Sequence, residues 1–86
     1  MFFSVGKIYQ IKIQNNHNIF SNHNIFEKNK SKKSIGTLYI KQPFLVLENF
    51  GIDHEDKIIE REVLKIITKN IIGYVFARVR DFECIS

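Results

Sequence analysis

The sequence predicts a mainly β domain, on three observations. Ile supplies 15 residues and Phe 8, against one Pro, one Ala and no Trp, and β-branched and aromatic side chains fit a pleated, half-buried surface. Within Val63 to Cys84, two apolar runs flank the turn-prone Thr68-Lys69-Asn70, the pattern of two paired strands. Near the start, Val5, Tyr9, Ile11 and Ile13 are set against Gln10, Lys12 and Gln14, which is the period-two signature of a strand with one face in a core.

That first strand runs from Val5 to Ile13, with Gly6 at its entry and Lys7 and Ile8 departing from the alternation as end residues do. Residues 15–34 then hold six of the chain's eight Asn and a direct repeat, Asn16-His17-Asn18-Ile19-Phe20 and Asn22-His23-Asn24-Ile25-Phe26. Two copies of so short a unit are far below what a solenoid needs. The segment reads as a flexible or hairpin insertion, with Ser21-Asn22-His23-Asn24 as a tip between two short strands.

The apolar pattern resumes at Ile35-Gly36-Thr37-Leu38-Tyr39-Ile40 and again at Phe44-Leu45-Val46-Leu47. Pro43 removes a backbone donor and so marks a strand entry or an edge. Phe44 to Glu48 is continuous enough for the central strand.

Two readings compete from Asp53 to Asn70. A helix over about 54–69, giving an α+β fold, would take Asp53 as its N-cap and share Ile58, Ile59, Val63, Ile66 and Ile67 on one face. The β reading makes Asn49 to Glu62 a long excursion and Val63 to Thr68 a strand that turns at Lys69-Asn70. It leads, because each β-branched residue lowers helix propensity by several tenths of a kcal/mol relative to Ala. In the strand that follows, Ile71, Gly73, Val75, Ala77 and Val79 share the core face, and Tyr74, Phe76, Arg78 and Arg80 the outward one. A bulge or tight bend is expected at Gly73. Phe82, Cys84 and Ile85 provide a last short strand.

Eighty-six residues make one domain with a thin core, burying only about 60–65% of the surface its unfolded chain exposes. A deep enzyme pocket is hard to fit. The composition is also that of AT-rich codons, which points to a phage, an organelle or a low-GC bacterium as source. Cys84 is the only cysteine, so an internal disulfide is excluded and a cytoplasmic setting, the host cytosol for a phage protein, is expected. Met1 to Val5 is too short for a signal peptide or a membrane span, and no membrane partner is expected. Charge is uneven: residues 1–45 hold seven Lys against Glu27 alone, while residues 46–86 hold six basic and eight acidic side chains. The basic half attracts an anionic partner or is simply a solvated loop.

The order of signals resembles an SH3-like β-barrel with a long basic loop. An opening strand at Gly6-Lys7-Ile8-Tyr9 and a central Phe44-Leu45-Val46-Leu47-Glu48 precede Val63-Leu64-Lys65-Ile66, which turns into Gly73-Tyr74-Val75 before Phe82-Glu83-Cys84-Ile85. The resemblance covers about half of the chain. Peptide-binding members carry an acidic, tyrosine-containing first loop and a ligand-stacking Trp; both are missing, so polyproline binding is not implied. What it implies is likeness to small SH3-like proteins, several phage-encoded, that serve as adaptors or inhibitors.

No catalytic or cofactor site is expected. His17, His23, His54 and Cys84 lack a zinc-ligand spacing, and Cys84 reads as a small apolar filler. Asp53, Glu55, Asp56, Glu60 and Glu62 read as solvated charge, and glycines at 6, 36, 51 and 73 form no phosphate loop. Two binding surfaces are candidates. Lys28, Lys30, Lys32, Lys33 and Lys41 with Tyr39, and Tyr9 nearby, fit a nucleic-acid surface of phosphate contacts and stacking rings. Tyr74, Phe76, Arg78 and Arg80 fit a protein interface, since aromatics and Arg are favoured there, unless Tyr74 and Phe76 pack as a second small core. The leading expectation is a non-enzymatic protein-binding module, in phage form an inhibitor or modulator of a host protein. An RNA- or DNA-binding accessory protein and a small structural subunit of a larger assembly are the alternatives.

Overall fold

The computed structural model describes residues 1–12, 16–20, 33–52 and 60–86. The strands are β1 (Ile8–Ile11), β2 (His17–Phe20), β3 (Ser34–Leu38), β4 (Phe44–Ile52), β5 (Arg61–Thr68), β6 (Ile71–Arg78) and β7 (Phe82–Cys84), with a 3₁₀ turn at Val79–Asp81. They form one antiparallel sheet in the order β3-β2-β6-β5-β4-β1-β7. First and last strands are neighbours, and β1 sits between β7 and β4.

Laid flat, seven strands would span roughly 29 Å, yet Leu38 of β3 and Phe82 of β7, from opposite edges, belong to one core. The sheet is therefore strongly curled. Its ends approach directly: Ile40, two residues after β3, bridges to Ile11 of β1, and Lys41 N–H donates to Ile11 O at 3.0 Å. At the same seam the His17 ring meets the Phe82 ring edge-on at 4.9 Å.

Alternation accounts for the core. Tyr9 and Ile11 from β1, Phe44 and Val46 from β4, Leu64 and Ile66 from β5, and Val75 and Ala77 from β6 point inward and are buried. Val5, expected to start the inward face, is exposed and precedes β1. Ile13 lies outside the described residues. Gly6, at φ +85°, makes the left-handed turn into the strand, a conformation that favours glycine. The first repeat copy is β2, whose Ile19 is fully buried; burying such a side chain contributes about 1.5–3 kcal/mol. The second copy, and the tip expected at Ser21 to Asn24, fall outside the described residues.

From Arg61 to Thr68 the chain is strand, paired residue for residue with β6 across the turn at Lys69-Asn70. The helix reading is overturned there: four Ile, Val and Leu side chains in eight positions satisfy two sheet faces, whereas on a helix Leu64 would lie among charges. Two further expectations are corrected. Gly73 pairs regularly with Ile66 without a bulge; the irregularities of the central ladder lie in β4, between Val46 and Glu48 and between Asn49 and Ile52. Gly51, at φ +93°, accommodates the second. Finally, β6 stops at Arg78, so Val79 and Arg80 belong to the 3₁₀ turn and not to the strand.

Candidate functional site

Strand register also defines the face turned away from the core. Val46 and Ile66 are inward, so their neighbours Leu45 and Ile67 are outward. Ile8 pairs with Leu45, Leu45 with Ile67, and Ile67 with Ile72. Four aliphatic side chains on β1, β4, β5 and β6 thus form one row across the strands. The first three are half-buried and Ile72 is 54% exposed.

An open, shallow groove of about 220 Å³ runs beside this row. Ile8, Leu45 and Ile67 line it with Pro43 and Phe44, and Thr68 and Lys69 complete the lining. The β3–β4 turn is tied to this edge by side chains: Gln42 Nε2 donates to Thr68 Oγ1 at 2.7 Å, and that hydroxyl donates to Pro43 O at 2.9 Å. Lys69 holds the left-handed φ of +49° that closes the β5–β6 hairpin. None of the lining residues is acidic.

One row along the same face, Glu48 and Lys65 pair at 3.7 Å, and the Tyr74 ring packs on Phe50 at 5.9 Å. Next come Val63 and Phe76, directly opposed. Both are buried, Phe76 with 9% exposure, and neither belongs to the main core cluster. Arg61 lies over the Phe76 ring at 5.9 Å and is paired across the ladder with Arg78.

The residues expected to make a protein interface therefore do not present one common surface. Tyr74 is half-buried, Phe76 buried, Arg78 half-buried, and Arg80 exposed on the 3₁₀ turn. The alternation placed Tyr74 and Phe76 on the correct face. Exposure on that face lies instead at Ile72, two positions before Tyr74. The signal was present in the doubled apolar pairs Phe44-Leu45, Ile66-Ile67 and Ile71-Ile72, since a continuous apolar run makes both faces of a strand apolar.

Of the cationic candidates, Lys28, Lys30 and Lys32 lie outside the described residues. Lys33 is exposed just before β3, and Tyr39 is 55% exposed just after it. Lys41 is exposed and its Nζ lies 3.4 Å from Glu83 Oε1. Gln10 Nε2 donates to the same oxygen at 2.6 Å, and this hydrogen bond, with Lys41 and Lys12 nearby, holds Glu83 below the usual carboxylate range. Tyr9 is buried, its hydroxyl accepting the Ser4 N–H at 2.7 Å, and is not available for stacking.

Two further side chains depart from expectation. Cys84 is exposed rather than a buried filler, because β7 is a short edge strand. Glu62 is fully buried rather than solvated. Its Oε1 accepts the Phe3 N–H at 3.2 Å and Asn49 Nδ2 at 2.8 Å, and its Oε2 accepts the Phe2 N–H at 2.8 Å.

Among the described residues no three His, Cys, Asp or Glu side chains come together as metal ligands, and no helix is long and apolar enough to cross a membrane. His23 and His54 lie outside the described residues. His17 Nε2 stands 4.0 Å from Asp81 Oδ2 at the seam of the sheet. Comparison with protein families, curated proteins and solved structures finds no match.

Proposed function

We propose that the chain is a non-enzymatic protein-binding module built as a small SH3-like barrel, in phage form a modulator of a host protein. The barrel reading is supported by the β6-β5-β4-β1-β7 order, with first and last strands adjacent and a 3₁₀ turn leading into the last. The approach of the β3 end to β1 supports it too. The phage reading rests on the AT-rich composition of the chain.

One observation carries the functional reading: the row Ile8, Leu45, Ile67 and Ile72 ends in a half-exposed isoleucine beside an open apolar groove. At about 220 Å³ the groove is smaller than the roughly 300–1,000 Å³ of small-molecule sites. It suits one anchoring side chain of a partner protein.

The test is capture from source-cell lysate on the immobilised full chain, with and without nuclease, using wild type and Ile72→Asp. A partner retained after nuclease and lost with Ile72→Asp, while the thermal melt stays cooperative, is the expected result. Capture that nuclease abolishes would favour the second reading, nucleic-acid binding. That reading is supported by the exposed Tyr39, which lies in sequence between the exposed Lys33 and Lys41.

A further inference from the structure

We propose that the occupant of this groove is an acidic segment of a partner protein, in which an apolar side chain enters beside Ile67 while a neighbouring Asp or Glu meets Lys69. This rests on the protein-binding reading and adds the chemistry of the partner to it.

The argument is one of charge. Of the five acidic side chains among the described residues, Glu62 and Asp81 are buried, Glu48 faces Lys65 and Glu83 faces Lys41, and the exposed Glu60 stands beside Val79, at the end of β5 away from Lys69. At the groove itself the lining includes one cation, Lys69, and no acid. Lys7, directly before the lining residue Ile8, is exposed and adds a second cation at that end of β1. An apolar floor with a cationic rim complements an apolar anchor flanked by carboxylate, and like charge on a competing partner would be rejected.

The same geometry weighs against the other occupants. A second copy docked through a two-fold axis would set this patch against itself, so that each Lys69 would meet a lining that holds no acid. A nucleic acid needs exposed rings for stacking, and the only aromatic lining the groove, Phe44, is buried in the core.

The experiment selects short random peptides from a display library on the full chain, then titrates the enriched peptides into isotope-labelled protein. Enriched sequences are expected to pair Asp or Glu with Leu, Ile or Phe. Their amide shift changes should centre on Ile8, Leu45, Ile67, Ile72 and Lys69. Neutralising the peptide acid to Asn or Gln, which leaves the protein untouched, should weaken binding about 10-fold at low salt. Lys69→Glu should do the same, with Lys33→Ala as an unaffected control.

Peptides that engage the row without an acidic preference would overturn the proposal and leave protein binding standing. Failure to enrich any peptide at the row would overturn the proposal, and shifts confined to Tyr39 and Lys41 on adding oligothymidine would overturn the protein-binding reading with it. Concentration-dependent dimerisation through Ile72 would also overturn it, with a second copy as the occupant.

Discussion

The carboxylate of Glu62 accepts the backbone N–H of Phe2 at 2.8 Å across 60 positions of sequence. The same side chain takes the Phe3 N–H, while Asn49 Nδ2 donates both to Glu62 and to Phe3 O. Tyr9 supplies the next step, accepting the Ser4 N–H. Phe2, Phe3 and Ser4 thus have their backbone N–H groups satisfied by side chains from β5 and β1, ahead of Gly6 and Lys7, whose backbone bonds Val46 of β4. That pairing lets Phe3 enter the core, where its ring stands edge-on to Tyr9 and Phe82.

Glu62→Leu should destabilise the fold by about 2–4 kcal/mol, because it leaves buried donors unmatched at about 1–3 kcal/mol each, only partly offset by relaxation. Urea unfolding gives the value. Hydrogen exchange at Phe2 and Phe3 should rise more than exchange in β6. A loss under 1 kcal/mol would mean that the segment is held by Phe3 packing alone.

Phe76→Ala should cost about 2–4 kcal/mol, the range for truncating a large buried aromatic that keeps some exposure. Phe76→Glu should abolish cooperative unfolding outright. Had Phe76 been an exposed interface residue, both changes would have stayed within about 0.5 kcal/mol. Thermal melts of the two variants separate a second small core from a docking patch.

Most strands were legible because their signal is local. Pro43 stands immediately before β4, the Lys69-Asn70 turn joins β5 to β6, and β-branched residues kept Arg61 to Thr68 extended. The parity of Tyr74 and Phe76 was legible as well. What covers a face was not: the sequence leaves Phe76 open between an outward patch and a second small core, and it does not single out Ile72 as the exposed residue. Glu62 was unreadable for a different reason: its partners are main-chain N–H groups of Phe2 and Phe3, and main-chain donors leave no mark in the sequence. Cys84 was misjudged because a three-residue edge strand leaves its last side chain uncovered.

Lys69→Gly should stabilise the protein by about 0.5–1 kcal/mol. A non-glycine residue in the left-handed region costs about 1–2 kcal/mol, and Lys69 sits there at φ +49°. Glycine removes that cost but gives back part of it as unfolded-chain entropy. The same variant deletes the groove's cation, so a rise in melting temperature with loss of acidic-peptide binding would separate the hairpin's stability from its role in recognition. An unchanged or lower melting temperature would show that the lysine is not strained.

Glu83 makes stability depend on pH in a defined direction. Its carboxyl is held low first by the Gln10 hydrogen bond and then by Lys41 and Lys12, so the folded state binds its proton less readily than the unfolded chain. A group depressed in this way contributes fully above the unfolded value of about 4.3 and loses that contribution as pH falls through the lower folded value. The melting temperature of wild type should therefore exceed that of Glu83→Gln by a constant margin above about pH 5, and the margin should shrink progressively below it. Gln10→Ala should reduce the margin more than Lys41→Ala, because the hydrogen bond from Gln10 is the leading cause and Lys41 is an exposed, screened partner. A margin that persists to the lowest pH at which the protein folds would show that Glu83 stabilises the β1–β7 edge without its charge.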